Sequence, residues 1–429
     1  MRMIRLREYE ATLEELSERE LRQLLDSNLV DVRATAGSAY ELRSGSTVGA
    51  VVLPDLELLI RPKIGLRNVF FLLTYGAGLT SWREEAFPYE EDEFFDAIAW
   101  LLDAEVGRAA RYGLLRDYRG VDAELATVRG RVEIGRQIRR RQSQPIPLHC
   151  RYQEYGEDME LNRVVKAALR RLLRIPGLGR ELTSRLRHHH RLFEEVGDLD
   201  YAPRDVPSLS FNRLNEPWRS AAILSQLVLR ADSVRDDTGS VEGVSFTVEM
   251  NKLFERFVER VVDEEARRQG WQLAPQRIRH LTDLVAMRPD LILRRADVDC
   301  AVGDAKYKHL EIADWPHADL YQLLAYCVAL GLPRGLLIYA EVGTDRTETV
   351  REAGTELEII SVDLARPWRE VLAQTRRAAV RLIEHAESAA ERQMTAHGRI
   401  DGEGGIRTID GRNHRYRFSG PASLAPLGG

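Results

Sequence analysis

The 429-residue sequence is poor in cysteine: Cys150, Cys300 and Cys327 are odd in number, far apart and form no CxxC pair. A disulfide framework or a structural zinc site has no support from that pattern. No apolar run reaches the roughly 18 residues that a membrane span needs, and the start, MRMIRLREYE, is charged from its second residue and lacks a signal-peptide core. A cytoplasmic setting with no membrane partner is predicted. Positive charge is not in excess either, since 62 Lys and Arg stand against 67 Asp and Glu for a net charge of −5. Global basicity therefore gives no argument for a nucleic-acid protein. A GxxxxGK[ST] phosphate loop is also missing, so no nucleotide is expected to be bound by this chain itself.

What is present is an ordinary globular mix, 44% hydrophobic and 30% charged, which argues against disordered, collagenous or coiled-coil architectures. At roughly 100–200 residues per domain the length predicts two to four domains. The expected fold class is α/β, mixed α+β and multidomain. Ser17 and Glu20 have the spacing of a capping box and lead into a short helix with Leu21, Leu24 and Leu25 on one face. Short strand-like runs follow at Val30–Val32, Tyr40–Arg43, Thr47–Leu53 and Leu56–Ile60, separated by turn signals, and an apolar helix begins near Val69. Residues 1–115 are read as a small β-rich, partner-binding unit.

Charge then separates along the chain. Glu84, Glu85, Glu90, Glu91, Asp92, Glu93 and Asp96 face only Arg83, whereas Arg129, Arg131, Arg136, Arg139, Arg140 and Arg141 face only Glu133. A further basic helical stretch, 163–191, ends near His188, His189 and His190. Residues 116–240 are thus expected to be basic, mainly helical and in contact with DNA or a partner, with Arg136, Arg139, Arg140 and Arg141 as candidate phosphate contacts. A solvated arginine-rich face is the competing reading. Three adjacent histidines on a helix point about 100° apart, which argues against a metal role.

The polar stretch 232–243 marks a boundary. Beyond it a long helix is expected over Phe246–Arg268, then strands at 272–280, 289–294, 298–307, 335–341 and 357–362, with helices at 314–330 and 367–392. Residues 241–396 form this last unit, and 397–429 are read as a flexible tail.

The chemistry concentrates in Arg288-Pro289-Asp290-Leu291-Ile292-Leu293 and Val302-Gly303-Asp304-Ala305-Lys306-Tyr307. An antiparallel hairpin with its turn at 295–299, centred on 297, sets Asp290 opposite Asp304. Cross-strand neighbours lie about 4.5–5.5 Å apart at Cβ, close enough for the two carboxylates to share a divalent cation. Lys306 returns to the same face by the strand period. Oxygen ligands in an open, water-keeping shell suit Mg²⁺, and such a cation with a lysine beside it suits phosphodiester hydrolysis. On the following helix Gln322 and Tyr326 are an i, i+4 pair.

These residues resemble the PD-(D/E)xK nuclease superfamily, and the Q-x-x-x-Y helix resembles its RecB-like branch. The resemblance implies that Asp290 and Asp304 are metal ligands, Lys306 the catalytic lysine, Gln322 and Tyr326 active-site supports, and Glu255 a helical carboxylate completing the metal site. Segments similar to the McrC family, the nuclease subunit of McrBC-type modification-dependent restriction systems, occur in order: Ile60 to Gly65, Arg129 to Val132, Glu160 to Arg163, Phe211 to Asn215 and Met250 to Val258. That resemblance implies a Mg²⁺-dependent (or Mn²⁺-dependent) endonuclease cutting double-stranded DNA modified in the manner of 5-methylcytosine. It also implies a McrB-like AAA+ GTPase ring as partner, whose hydrolysis the chain stimulates. A stand-alone RecB-like repair nuclease and a non-catalytic adaptor with a nuclease fold are the alternatives.

Overall fold

The computed structural model describes residues 2–35, 37–79, 88–89, 93–140, 146–230, 244–274, 279–280, 286–308 and 317–400. The acidic stretch 84–96 therefore lies outside the described residues except for 88–89 and 93–96; Arg141, the polar stretch 232–243 and residues 401–429 lie outside them altogether.

The N-terminal part comprises β1 (Arg2–Arg7), β2 (Ala11–Glu15), α1 (Glu18–Ser27), β3 (Val30–Ala34), β4 (Ala39–Ser44), β5 (Thr47–Val52), β6 (Leu56–Arg61), α2 (Leu66–Gly76) and α3 (Phe94–Ala110). The capping box forms as expected: the Glu20 N–H donates to Ser17 Oγ at 3.3 Å, and the Ser17 N–H donates to the Glu20 carboxylate at 2.8 Å. β2, β4 and β3 make an antiparallel sheet, while β1 joins β6 in parallel. Strand β1 lies in the segment expected only to be charged; its alternation buries Ile4 and Leu6 in the core beneath α1.

The middle part holds β7 (Asp117–Leu125), β8 (Arg131–Val132), α4 (Ile134–Arg140), β9 (Leu148–Gly156), α5 (Glu160–Leu173), α6 (Arg180–Leu192) and α7 (Arg219–Arg230). The antiparallel β7–β9 ribbon was not foreseen in a region read as mainly helical. The expected basic helical stretch is two helices, parted at Pro176-Gly177, where Gly177 takes φ +83°. A residue with Cβ resists that conformation.

The C-terminal part contains β10 (Val244–Glu249), α8 (Met250–Arg268), β11 (Gln272–Leu273), β12 (Arg279–His280), β13 (Ala286–Met287), β14 (Leu291–Arg295), β15 (Val298–Lys306), α9 (His317–Leu330), β16 (Arg334–Tyr339), β17 (Arg346–Val350), β18 (Thr355–Ser361) and α10 (Trp368–Ile400). Its main sheet has the order β11-β14-β15-β16-β18-β17, with β15, β16 and β18 parallel. Helices α8 and α10 cover one face through Leu291, Leu293, Ala301, Leu336 and Ile338, and α9 covers the other through Ile292, Val302 and Leu337.

The helix expected from Phe246 begins instead at Met250. The Glu249 carboxylate accepts from the Asn251 and Lys252 N–H groups, both at 3.0 Å, and so caps α8. Preceding it, β10 pairs antiparallel with β5 and completes the N-terminal sheet β1-β6-β5-β10. Gly49 permits this approach: a Cβ there would lie 2.2 Å from the Phe246 carbonyl oxygen. A division at 240 therefore separates a strand from its sheet. The core is continuous as well, since Phe71 and Tyr75 of α2 pack on Phe257 of α8, with ring centroids 5.6 and 5.5 Å apart. Among the described residues no helix is long and apolar enough to cross a membrane.

Candidate active site

The β14–β15 hairpin turns tightly. Ala296 and Asp297 both have positive φ, +47° and +66°, as a two-residue hairpin turn of the right twist requires. Arg295 faces Val298 and Arg294 faces Asp299, but Leu293 faces Ala301, leaving Cys300 as an extra residue in a bulge. The turn is thus shorter than the expected 295–299. The bulge restores the offset, so that Leu291 lies opposite Gly303 and Asp290, just ahead of β14, reaches β15, where its Oδ2 accepts from the Ala305 N–H at 3.1 Å.

Asp290 and Asp304 come together on the face that carries Val302. Burial, then the neighbouring charge of Asp290, pushes the Asp304 carboxyl up to about 7. Asp290 is raised as well, chiefly by burial, against relief from its hydrogen bond with Asp304 and from the Ala305 N–H. Asp304 is only 2% exposed, and its Oδ2 meets the Lys306 ammonium in an ion pair. Burial lowers the Lys306 pKa, but the charges of Asp304, Asp290 and Asp319 outweigh it and hold the ammonium above the usual lysine range.

Helix α9 brings in the next residues. It lies close over the sheet because Gly335 of β16 offers no side chain; a Cβ there would sit 2.6 Å from Cys327 Sγ and 2.7 Å from Leu323. Gln322 Nε2 donates to the Tyr326 hydroxyl oxygen at 2.7 Å. Burial and the charges of Asp304 and Asp290 push the Tyr326 hydroxyl well above its ordinary pKa, so it stays protonated beside the acid pair. Glu255 on α8 is half-buried and raised by burial, and it feels Lys306 and Asp304.

Among the described residues no group of three or more His, Cys, Asp or Glu side chains is gathered as a metal site. The donor set at the hairpin is a pair of carboxyls, with Glu255 farther off rather than a third ligand in the cluster. That pair still fits Mg²⁺. One ammonium does not compensate two buried carboxylates, as the raised Asp304 records, and Mg²⁺ commonly takes one or two carboxylates while keeping several waters.

Sequence reasoning missed the groups around this site. The Asp319 carboxylate receives the Lys308 ammonium at 2.8 and 3.0 Å and the Tyr339 hydroxyl. On the side of the N-terminal sheet, the Tyr307 hydroxyl donates to Glu8 Oε2 at 3.0 Å, the Lys63 N–H donates to the same oxygen at 3.1 Å, and the Lys63 ammonium lies 3.9 Å from the Tyr307 ring centre. Glu8 is pushed up to about 7, chiefly by burial. Of the candidate phosphate contacts, Arg136 is exposed and 3.5 Å from Asp122, remote in sequence from the acid pair and tied into the β7–β9 sheet. Arg139 and Arg140 lie in α4 with side chains outside the described residues.

A family model described as McrBC 5-methylcytosine restriction system component matches residues 42–340. Among curated proteins, the Type IV methyl-directed restriction enzyme EcoKMcrBC of Escherichia coli (strain K12) is 22% identical over 333 residues, which span 72% of this chain and 95% of that protein. Among solved structures, a chain in the half-complex from the tetradecameric assembly of Thermococcus gammatolerans McrB AAA+ hexamers with bound McrC superposes with a TM-score of 0.57 at 19% identity. The match covers 88% of this chain and 99% of that one. A chain of the Thermococcus gammatolerans McrBC complex matches with a TM-score of 0.41 at 21% identity over 61% of this chain and 88% of that one.

Proposed function

The chain belongs to the McrBC 5-methylcytosine restriction system component family, and from that premise we propose that it is the Mg²⁺-dependent, PD-(D/E)xK-type DNA endonuclease subunit of a restriction complex. Its substrate is DNA carrying 5-methylcytosine-type modification, and its partner is a McrB-like AAA+ GTPase ring whose hydrolysis it stimulates. One observation carries the nuclease reading: Asp290 and Asp304 come together in a buried pair with Lys306 on the same strand.

In this reading Asp290 and Asp304 hold the cation, which when bound lowers the pKa of a water and stabilises charge on a phosphoryl oxygen. Lys306 keeps a fixed positive charge where negative charge develops on the attacked phosphodiester. Tyr326, protonated and oriented by Gln322, offers a hydroxyl donor beside the acid pair. Glu255 borders the site and adjusts the field at Lys306 and Asp304. The relatives' complexes are named for McrB AAA+ hexamers, which supports the partner assignment. A decayed adaptor is disfavoured by the intact acid pair and lysine.

The test is cleavage of methylated and unmethylated plasmid by the full chain purified with its AAA+ partner, with GTP or ATP and Mg²⁺. Cutting that needs both the partner and the methylated substrate supports the reading. Equal cutting by the chain alone would favour a stand-alone RecB-like nuclease. Ring docking is assigned to residues 1–115. Because β10 completes their sheet, docking is tested by surface substitution in the full chain and not by truncation at 240. Leu13→Glu with Leu25→Glu, two residues 66% and 54% exposed, should abolish co-purification with the ring; unchanged co-purification would move the docking surface elsewhere.

A further inference from the structure

Helices α3 and α6 run side by side in the same sense. Asp96 meets Gly179 near their starts, Asp103 meets Arg185 midway, and Gly107 approaches the His189 ring farther on. Between them lies a cleft of about 890 Å³ that is unrelated to the acid pair and lined by Arg108, Arg111, Arg185 and Arg191 against a single lining carboxylate, Asp103. The sequence marked α6 as basic and ending in three histidines, and nothing in the hydrolytic site uses it.

The four guanidiniums are not equivalent. Arg185 Nε lies 3.1 Å from the buried Asp103, whose other oxygen is 3.2 Å from His189 Nε2, and Arg185 also approaches Glu181 at 3.4 Å. Arg108 is held by Glu105 at 2.6 Å. These pairs hold Arg185 and Arg108 in place. Arg111 and Arg191 are exposed and make no ion pair among the described residues, and His188 is exposed beside them. Arg111 caps the C-terminal end of α3 and Arg191 sits in the last turn of α6. Helix dipoles favour cations there, but that effect places two arginines at two helix ends; it does not require both ends to open into one cleft already holding two more.

We propose that this cleft is a binding site for the phosphodiester backbone of duplex DNA, with Arg111 and Arg191 as the phosphate-contacting pair. Planar guanidinium forks match phosphate oxygens in two-point contact. No Phe, Tyr or Trp lines the cleft, whose rings are the imidazoles of His188 and His189 alone; channels that grip single strands stack successive bases on a series of large aromatic side chains, so the backbone of a duplex is the better-fitting ligand. An acidic protein surface would meet the same charges, and the test separates the two. The inference rests on the reading of the chain as a DNA enzyme, and it adds where the DNA lies away from the scissile bond.

The experiment measures binding of the full chain, without divalent metal, to a fluorescent duplex across a salt series, so that cleavage plays no part. Arg111→Glu with Arg191→Glu should weaken binding at least about 10-fold near 0.1 M KCl and make the log–log salt slope shallower by about 2, at roughly 0.9 for each phosphate no longer neutralised. Arg111→Lys with Arg191→Lys keeps the charge and should keep most of the slope. Both arginines are exposed, and unchanged thermal melting shows that the variants are folded. Wild-type affinity and slope in the Glu variant would overturn the proposal while leaving the nuclease reading intact. Loss of ring co-purification with DNA binding unchanged would overturn it in favour of an acidic protein surface. A wild-type chain and partner complex that neither binds nor cuts DNA would remove the underlying reading as well.

Discussion

Asp158 in the middle of the chain and Asp304 in the hairpin are both carboxylates paired with cations, and their surroundings drive them in opposite directions. Asp158 receives Arg163 at 2.6 and 2.7 Å, the Gly197 N–H at 2.9 Å and Arg119, which hold its carboxyl well below the usual carboxylate range. Asp304 is buried with a second acid and one lysine, and is pushed up to about 7. The arginine-rich middle largely settles its charges within the fold. The hairpin does not: it concentrates negative charge beyond what its own lysine compensates. Perturbation of that second kind, in a buried pair with a specific partner, is characteristic of functional sites.

Removing the charges that the hairpin leaves uncompensated should have the greatest consequence. Asp304→Asn and Lys306→Ala should each lower DNA cleavage by about 10²–10³-fold or more, read from plasmid nicking by the partner-bound chain. Melting temperature should hold or rise in Asp304→Asn, since a buried like-charge contact disappears. Next is Glu8, a buried acid just after β1 that meets Tyr307. Its folded pKa lies near 7 against 4.5 ordinarily, so the folded state disfavours its ionised form, and stability is lost as pH rises from about 4.5 through 7. Glu8→Gln should match wild type near pH 4 and exceed it by on the order of 2 kcal/mol near pH 8, measured by urea unfolding at both pH values.

Asp158 has the opposite sign. Its depressed pKa contributes stability that is present at neutral pH and lost as pH falls through the folded value. Asp158→Asn should therefore cost about 1–2 kcal/mol at pH 7 and less at pH 3, again by urea unfolding. The smallest effect is expected at Arg136, an exposed arginine near Asp122. Arg136→Glu should change DNA affinity only a few-fold and the salt slope by about 0.9 at most; no change in slope would make that segment a solvated face.

The acid pair and lysine were legible in the sequence because strand alternation and hairpin register are local rules, and the bulge at Cys300 offset the shorter turn. The capping box at Ser17 was legible for the same reason. β10 was not: VSFTVE runs into an amphipathic helix, and its strand state depends on pairing with β5, some two hundred residues earlier in the chain, and on the space left by Gly49. The Glu8, Lys63 and Tyr307 cluster draws on three distant segments. Lys63 lay within a segment quoted for its family likeness, but neither spacing nor composition indicates its contact with Tyr307. The cleft between α3 and α6 was visible only as a basic helix, because the lack of an ion pair at Arg111 and Arg191 among the described residues depends on which carboxylates the fold brings near.

The most direct measurement of the central claim is Mn²⁺ binding to the full chain, followed by paramagnetic resonance or calorimetry, in wild type and in Asp290→Asn with Asp304→Asn. Saturable binding is expected in wild type, competed by Mg²⁺ and lost in the double variant, with the fold retained by circular dichroism. Undiminished Mn²⁺ binding by the folded double variant would contradict it.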